Sequence, residues 1–307
     1  MVIVVGESLL DLVADADARS FAAHPGGSPA NVAVGLARLG SPVTLATQLG
    51  DDLPGRLVNA HLGANGVSVE LLPAISSATS LALAVLDDDG AASYDFRLAW
   101  DITRGPDLTP EYVCLHTGSL ATALAPGADV LDGLLARVHR SREVTISLDP
   151  NIRPSLASTR DVERTRVERQ VGWADIVKVS SDDLQWLYPD LPPTDVAGRW
   201  LRLGPALVVV TLGGHGAYAL TRTAEVTRSA IPVQVADTVG AGDAFTAGLL
   251  DALLRIGVLD ATQSAKLATM PTALLAEVID FATHVAAVTC SRSGADPPTR
   301  ADLSLPT

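Results

Sequence analysis

The ten residues ADTVGAGDAF, positions 236–245, set three small residues, Gly240, Ala241 and Gly242, directly before the carboxylate of Asp243. An apolar segment with helical spacing follows, so the turn leaves N–H groups unpaired and, with the helix dipole, forms an anion site. A carboxylate there suits phosphoryl transfer, with Asp243 taking the proton of the attacking hydroxyl. A helix N-terminus favours the ionised carboxylate, so we expect Asp243 to be charged at neutral pH. The same residues also fit a plain glycine turn capped by Asp243.

Composition and charge limit the class of protein. The chain has 307 residues, 48% of them hydrophobic, which is enough for one large domain or two modest ones with a substantial core. The formal net charge of −13 argues against a nucleic-acid or anionic membrane surface. We expect the N-terminal residues to form a buried first strand and not a signal peptide. The sequence has no run of about 18–20 apolar residues and only two distant cysteines, Cys114 and Cys290. We expect a soluble cytoplasmic protein without a disulfide framework or a zinc site.

Short, continuously apolar runs alternate with helical patterns along the chain. Continuous apolar runs are typical of strands buried on both faces. The predicted strands are 2–5, 43–49, 113–115, 144–148, 176–179 and 207–212. The predicted helices are 28–39 with Ser28 as N-cap, 55–62, 129–139, 161–171, 195–203, 244–256 and 274–290. This alternation predicts a mostly parallel sheet covered by helices on both faces.

Two segments break the alternation. Residues 80–86 and 93–98 flank the turn-like stretch DDDGAA and form an antiparallel pair. Residues 11–23 fit a helix poorly and run into two glycines. We interpret both pieces as a small separate sheet that covers one edge of the main domain; a surface hairpin with no function is the alternative.

Polar and glycine residues follow the predicted strands at their carboxyl ends, where parallel α/β sheets bind ligands. They are Glu7, Asp11, His116, Gly118, Ser119, Asp149, Asn151, Arg153, Ser180, Asp183, Gly213, Gly214 and Gly216. The chain has neither GxxxxGK[ST] nor GxGxxG. It is therefore neither a P-loop enzyme nor a Rossmann dehydrogenase of the usual kind.

Two loops add candidate ligand contacts. In HPGGSPANVAVGLARLG, residues 24–40, the paired glycines let backbone pass close to a ligand, and Asn31 in the first helical turn can face a hydroxyl. In SLDPNIRPSL, residues 147–156, two prolines stiffen a loop that aims Arg153 at a polar ligand. Taken alone, a flexible turn with an ordinary cap and a rigid surface turn explain these loops as well.

Two stretches, GGSPANVAVGLARLG at 26–40 and DTVGAGDAFTAGLL at 237–250, resemble the two signatures of the ribokinase-like carbohydrate kinases, the PfkB family. The resemblance covers nearly the whole chain, and GESLLDL, DPNIRPSL, ADIVKVSSDDLQWLYP and GADPPTRADL are most similar to its fructokinases. It implies one ribokinase-like three-layer α/β/α domain over residues 1–307, with a mostly parallel central sheet. A small β-sheet lid, formed by residues 12–25 and 79–98, would close over the sugar. Many relatives form dimers through this lid.

The resemblance also implies a role for each matching residue. Asp243 would be the catalytic base, and the backbone of Gly240, Ala241 and Gly242 the anion hole. The implied sugar contacts are Asp11, Gly27, Asn31 and Arg153, and the implied nucleotide contacts are Ser180, Thr211, Gly213, Gly216, Thr283 and Ala287. Asp183 would face the water shell of magnesium, with Ser180 and Asp183 replacing the Asn and Glu of many relatives. A monovalent cation, K⁺, would be held by Asp237 and the backbone of Val239, Thr289, Arg292 and Gly294.

These roles imply an ATP- and Mg²⁺-dependent kinase that phosphorylates a small sugar, with fructose at carbon 6 or carbon 1 as the expected substrate. The alternatives within the enzyme class are ribose, a nucleoside or 2-keto-3-deoxygluconate, a sugar acid for which Arg97 would be the second cationic group. The alternative outside it is a sugar-binding regulatory protein without turnover, which would be expected to lack the base or the anion-hole glycines.

Overall fold

The computed structural model describes residues 1–14, 19–86 and 92–303. Residues 15–18 of the predicted lid and 87–91 of its predicted turn lie outside this range. Its strands are β1 (Val2–Val5), β2 (Leu9–Ala14), β3 (Phe21–Gly26), β4 (Val43–Thr47), β5 (Ser68–Leu71), β6 (Ser80–Leu86), β7 (Ala92–Arg97), β8 (Cys114–Gly118), β9 (Thr145–Asp149), β10 (Ile176–Ser180), β11 (Leu207–Thr211), β12 (Ala217–Thr221) and β13 (Glu225–Arg228). Its α-helices are α1 (Ser28–Arg38), α2 (Leu53–Ala64), α3 (Gly127–Ser141), α4 (Arg160–Val171), α5 (Ser181–Leu187), α6 (Pro193–Leu201), α7 (Ala241–Arg255), α8 (Ser264–Ala268) and α9 (Thr272–Cys290).

The main sheet has nine strands in the described part of the chain, in the order β13-β12-β11-β10-β9-β8-β1-β4-β5. The strands from β11 to β5 are parallel to their neighbours, and β12 and β13 add an antiparallel edge. The predicted mostly parallel sheet is confirmed. Strands β5, β12 and β13 were not predicted: β5 and β13 are the two short edge strands and lack a continuous apolar run, and β12 lies between β11 and β13.

Strand β1 shows why the apolar runs are continuous. Val2 and Val4 point to one face of the sheet, Ile3 and Val5 point to the other, and all four are fully buried. Helices α1, α2, α7, α8 and α9 cover the first face, and α3 to α6 cover the second. The result is the predicted three-layer arrangement with one core on each side of the sheet.

A second sheet of four strands has the order β3-β2-β6-β7 and is built from the segments predicted as the lid. Strands β6 and β7 pair antiparallel as predicted, and β2 pairs parallel with β6. Thr79, at the root of β6, is anchored by the N-cap carboxylate of α2: Asp52 accepts hydrogen bonds from its hydroxyl at 2.6 Å and its N–H at 3.0 Å. The small sheet is therefore tied to the main domain at its base.

Helix α9 is long and apolar enough to cross a membrane by length and composition alone, which the sequence analysis did not expect. Core helices of soluble proteins meet the same criterion. Leu275, Val278, Ile279 and Ala282 of α9 are buried in the core shared with α7. We therefore describe α9 as a core helix.

Candidate active site

Helices α1 and α7 run parallel, and their N-termini meet at Asp243. Ser28 donates its hydroxyl hydrogen to Asp243 Oδ1 at 2.6 Å, and Asn31 donates from Nδ2 to Asp243 Oδ2 at 2.8 Å. The helices touch midway, where a Cβ on Gly35 would lie 2.6 Å from the Cβ of Ala247. Two positive helix ends thus converge on one carboxylate.

The N-terminal ends of α1 and α7 differ from the sequence prediction, α1 in its capping residue and α7 in its first residue. Ser28 is the first helical residue and not the N-cap; the cap is Gly27, whose φ of 101° suits glycine. Helix α7 begins at Ala241, three residues before the predicted start, and its cap is Gly240 at φ 74°. At α1 the cause is a long-range contact: the hydroxyl of Ser28, expected to cap its own helix, binds Asp243 instead.

The turn into α7 presents free backbone donors. Ala241 N–H donates to the carbonyl oxygen of Thr238 at 3.2 Å. Within the described residues, the N–H groups of Gly240, Gly242 and Asp243 donate no hydrogen bond. This leaves three N–H donors at a helix N-terminus, an arrangement that suits an anion, while the N–H of Ala241 is engaged elsewhere.

The charge of Asp243 is set by opposing effects. Burial raises the pKa of this carboxyl above its ordinary value, while the hydrogen bonds from Ser28 and Asn31 and the charge of Lys178 lower it. The net direction is upward, opposite to the effect of the helix N-terminus. Burial at 7% exposure outweighs the helix end.

A buried ion pair lies beneath the anion turn. Lys178 of β10 and Asp149 at the end of β9 approach to 2.8 Å between Nζ and Oδ2, and both are almost fully buried. Burial alone would lower the pKa of Lys178, but Asp149, with the charges of Asp243 and Asp183, raises it, so the ammonium stays protonated. Sequence analysis missed Lys178; a lysine inside an otherwise apolar strand was the available signal.

An open cleft of about 880 Å³ lies at the carboxyl ends of β9, β10 and β11, beside the first turn of α7. The predicted site residues that line it are Arg153, Ser180, Asp183, Thr211, Gly213, Gly216, Gly240, Ala241, Gly242, Asp243, Thr283 and Ala287. Thr283 Oγ1 is buried and has no hydrogen-bond partner in the described structure. One wall is apolar and was not predicted: Ile231, Val233 and Val235 line it from the loop before α7.

The predicted sugar contacts Asp11, Gly27 and Asn31 lie outside this cleft, on β2 and at the start of α1. Burial raises the pKa of Asp11 to about 6, although His24 and Arg153 act in the opposite direction. A Cβ on Gly26 would meet Asp11 Oδ2 at 2.3 Å, so only glycine leaves room for this carboxylate. Arg153 lines the cleft, and its charge also acts on Asp11, which lies outside the cleft.

Glu7, in the turn after β1, is a second buried carboxyl outside the cleft. It is 3% exposed, and its Oε2 accepts a hydrogen bond from Ala121 N–H at 2.9 Å. Burial raises the pKa of Glu7 to about 7, against hydrogen bonds from its own N–H, Ser119 and Ala121 and the charge of Arg153. Glu7 thus joins the turn after β1 to the turn after β8.

Asp183 and Ser180 occupy the start of α5 on the cleft wall. Ser180 is the N-cap, and its hydroxyl oxygen accepts a hydrogen bond from Asp183 N–H at 3.0 Å. Asp183 Oδ1 accepts one from Ile152 N–H at 3.0 Å, so the carboxylate is fixed to the loop after β9. Burial and the nearby charge of Asp149 raise the pKa of Asp183.

Asp237 bridges two loops beside the anion turn. Its Oδ1 accepts a hydrogen bond from Val239 N–H at 3.0 Å, and its Oδ2 accepts one from Gly294 N–H at 2.9 Å. Burial would raise its pKa, but these hydrogen bonds hold the pKa of Asp237 below its ordinary value. The predicted cation ligands Thr289 and Arg292 lie at the end of α9 and just after it.

The far ends of α1 and α7 are clamped by the C-terminal segment. Asp251 of α7 is fully buried and accepts hydrogen bonds from Ser41 at 2.8 Å, Arg255 at 3.0 Å and Arg300. Arg300 Nε also donates to the carbonyl oxygen of Leu39 at 3.0 Å. This clamp holds the last turns of α7 against the end of α1, at the opposite end of the two helices from Asp243.

Other candidates from the sequence have structural positions. His116 is buried within β8, its Nδ1 lies 3.0 Å from Ser147 Oγ, and burial lowers its pKa to about 4. Gly118 allows the close approach of β9, since a Cβ there would meet the carbonyl oxygen of Asp149 at 1.8 Å. Both belong to the sheet interior.

Comparison with known proteins agrees with this geometry. Residues 1–302 match the pfkB family carbohydrate kinases. The chain is 34% identical over 276 residues to a fructokinase of Rhizobium leguminosarum bv. trifolii, covering 87% of this chain and 84% of that protein. It is 33% identical over 299 residues to an aminoimidazole riboside kinase of Salmonella typhimurium (strain LT2), covering 95% and 89%.

Solved structures give the same result. The fructokinase of Xylella fastidiosa with bound ATP has a TM-score of 0.87 and 29% identity, covering 98% of this chain and 97% of that chain. A double mutant of the Vibrio cholerae O395 fructokinase, with fructose, ADP and potassium bound, has a TM-score of 0.79 and 28% identity, covering 99% and 96%. The fold is that of kinases that phosphorylate small molecules. Within that class, the chain belongs to the pfkB family of carbohydrate kinases.

Proposed function

We propose that this chain is a fructokinase, which transfers the γ-phosphoryl group of ATP to the hydroxyl on carbon 6 or carbon 1 of fructose. The observation that carries the proposal is Asp243, a buried carboxylate beside the free N–H groups of the α7 turn. Asp243 removes the proton of the sugar hydroxyl, whose oxygen bonds to the γ-phosphorus as the bond to the β-phosphate oxygen breaks. The backbone of Gly240, Ala241 and Gly242 forms the anion hole that stabilises the transferring group.

Fructose as the substrate is supported by the charges on the sugar side. The proposed contacts are Asp11, Gly27, Asn31 and Arg153. Asp11 and Asn31 suit the hydroxyl groups of a neutral sugar. The positive charge of Arg153 is already balanced in part by the carboxyl groups of Asp11 and Glu7, on which it acts. A sugar acid would need a second cation, but Arg97 on β7 is exposed and paired with Asp95 at 2.9 Å. This arrangement favours a neutral sugar over 2-keto-3-deoxygluconate.

The nucleotide is proposed to lie in the cleft, with its base against the apolar wall and Thr283 and Ala287, and its phosphates toward Ser180 and the α7 turn. Thr211, Gly213 and Gly216 would line its middle. The unpartnered hydroxyl of Thr283 supports this placement, because a buried hydroxyl needs a partner.

Magnesium is proposed beside the phosphates, near Asp183 and Asp149. Asp149 Oδ1 is buried without a partner, which fits a cation or its bound water. Among the described residues, no group of three or more His, Cys, Asp or Glu side chains could hold a metal ion, so water and phosphate oxygens would complete the shell. When bound, magnesium neutralises phosphate charge.

A potassium ion is proposed beside the anion turn, at Asp237 and the backbone of Val239, Thr289, Arg292 and Gly294. The similar Vibrio cholerae fructokinase structure has potassium bound, which supports a cation in this family of folds. Asp237 already bridges the two loops that would supply the carbonyl oxygens.

The small sheet is proposed to act as a lid that closes over the sugar and excludes water, so that ATP is not hydrolysed. We also propose a cytoplasmic homodimer that forms through this lid. Strand β3 lies at the edge of the small sheet and exposes Phe21 at 44%, so it offers an unpaired edge with an apolar side chain.

An ADP-release assay with ATP and magnesium tests the proposal against fructose, ribose, glucose, 2-keto-3-deoxygluconate and adenosine. Turnover highest with fructose is the expected result. Turnover confined to another member of the panel would replace the substrate, and no turnover by folded protein would contradict the kinase assignment for these substrates.

A riboside is the second candidate substrate. The observation that favours it is the 33% identity to an aminoimidazole riboside kinase over 95% of this chain. Adding aminoimidazole riboside to the panel separates the two candidates through kcat/KM.

A further inference from the structure

Lys178 is placed to act on the cleft as well as on the core. It lies on β10 between Val177 and Val179, which face the opposite side of the sheet, and it is 4% exposed. Its side chain lines the cleft. A Cβ on Gly242 would lie 3.0 Å from its Nζ, so the ammonium stands directly against the anion turn.

The ammonium has unused donors. Lys178 Nζ carries three hydrogens, and in the described structure it donates one hydrogen bond, to Asp149 Oδ2 at 2.8 Å. Its counter-ion Asp149 is 1% exposed at the end of β9, so the carboxylate is buried within the sheet and has little room to move. Two N–H donors are therefore left beside the free backbone donors of Gly240 and Gly242.

A purely structural role explains this pair poorly. Burying two charges costs free energy that their attraction does not reliably recover, and apolar residues of similar volume are often as stable. The preceding residues of the strand, Ile176 and Val177, and the following Val179 are apolar, so the groups that balance the ammonium are carboxylates of other elements: Asp149, with Asp183 and Asp243 nearby. A negative group arriving at the turn would supply the missing acceptors.

We propose that Lys178 is a catalytic residue, aimed by Asp149, whose ammonium donates a hydrogen bond to a nonbridging oxygen of the γ-phosphoryl group held at the α7 turn. The proposal rests on the proposed kinase function. Lys178 exchanges no proton and forms no covalent bond; it stabilises charge on the group that leaves ATP for the sugar oxygen, while the proton goes to Asp243.

The test is nucleotide binding, which does not depend on the sugar. Asp243→Asn is the background, because it is expected to turn over ATP very slowly, and calorimetry without sugar gives the Kd values of ATP and ADP with magnesium. Lys178→Met is expected to lower the ATP-to-ADP affinity ratio at least about tenfold and to leave ADP affinity nearly unchanged, since only ATP carries the γ-phosphate.

Two variants keep the experiment decisive. Lys178→Met leaves Asp149 without its counter-ion, so the comparison is repeated with Asp149→Asn in both proteins, which removes the unpaired charge. Lys266→Met is the matched control, because Lys266 is the other lysine of the chain and is exposed on α8.

The outcomes separate the two proposals. A ratio that falls in both backgrounds and is unchanged by Lys266→Met supports Lys178 as a γ-phosphate contact. An unchanged ratio in folded protein that binds both nucleotides overturns the role of Lys178 alone. Loss of all nucleotide binding in the Asp243→Asn background itself would overturn the proposed nucleotide site.

Discussion

Replacing Glu7 with glutamine is expected to change how the stability of the fold depends on pH. Glu7 is buried, and its pKa in the folded protein is about 7 instead of the ordinary 4.5. Glutamine keeps the size of the side chain and an oxygen that can accept the hydrogen bond from Ala121 N–H. The substitution removes the ionisation, and its other change, an NH2 group in place of one carboxyl oxygen, does not depend on pH in this range.

The magnitude follows from the pKa. Because the folded pKa of Glu7 is raised, its protonated form stabilises the fold; this contribution is complete below about pH 4.5 and is lost as pH rises through about 7. A pKa raised from 4.5 to about 7 corresponds to about 3 kcal/mol in total. About 2.5 kcal/mol of this is lost between about pH 5 and about pH 8.

Urea unfolding of the wild-type protein and Glu7→Gln at several pH values measures this difference. The free energy of unfolding of the wild type should fall by about 2.5 kcal/mol relative to the variant from about pH 5 to about pH 8. Other titrating groups, Asp11 among them, are common to both proteins and cancel. Parallel curves across this range would refute the reasoning, because Glu7 would then have an ordinary pKa.

Two further substitutions test the base and the helix contact. Asp243→Asn is expected to lower kcat by about 10²–10⁴-fold while the sugar Kd stays nearly unchanged, measured by steady-state kinetics and calorimetry; a variant that keeps most of its kcat would exclude Asp243 as the base. Gly248→Ala would place a methyl group 3.0 Å from Val285 Cγ2 and is expected to cost about 1–3 kcal/mol in urea unfolding. Gly63→Ala is the control, since a Cβ there meets nothing within 4 Å; equal stability of the two variants would contradict tight packing at Gly248.

Local patterns in the sequence predict most of the fold. The continuous apolar run at Val2–Val5 predicts a buried strand with the bounds that the structure has. The helix after the glycines at 26–27 is predicted within one residue of its end, because its apolar spacing is regular. Such signals lie within a few residues of one another, so a single sequence is enough to read them.

The parts of the site that sequence analysis missed depend on contacts between distant residues. Ser28 binds Asp243, 215 positions away, so its local appearance as an N-cap is misleading. Lys178 and Asp149 belong to different strands, and only the parallel pairing of β9 and β10 brings them together. The effect of burial on the pKa of Asp243 likewise depends on the whole fold.

The clamp around Asp251 has a consequence for how the protein is synthesised. Arg300 reaches back to the carbonyl oxygen of Leu39, 261 positions earlier, so the last part of the chain closes the contact between α1 and α7. Until Arg300 leaves the ribosome, the nascent chain has the base, the anion turn and the Ser41 and Arg255 contacts of Asp251, but not the contacts of Arg300. Contacts of such separation form late in folding, so we expect catalytic competence to arise only after residue 300 has left the ribosome.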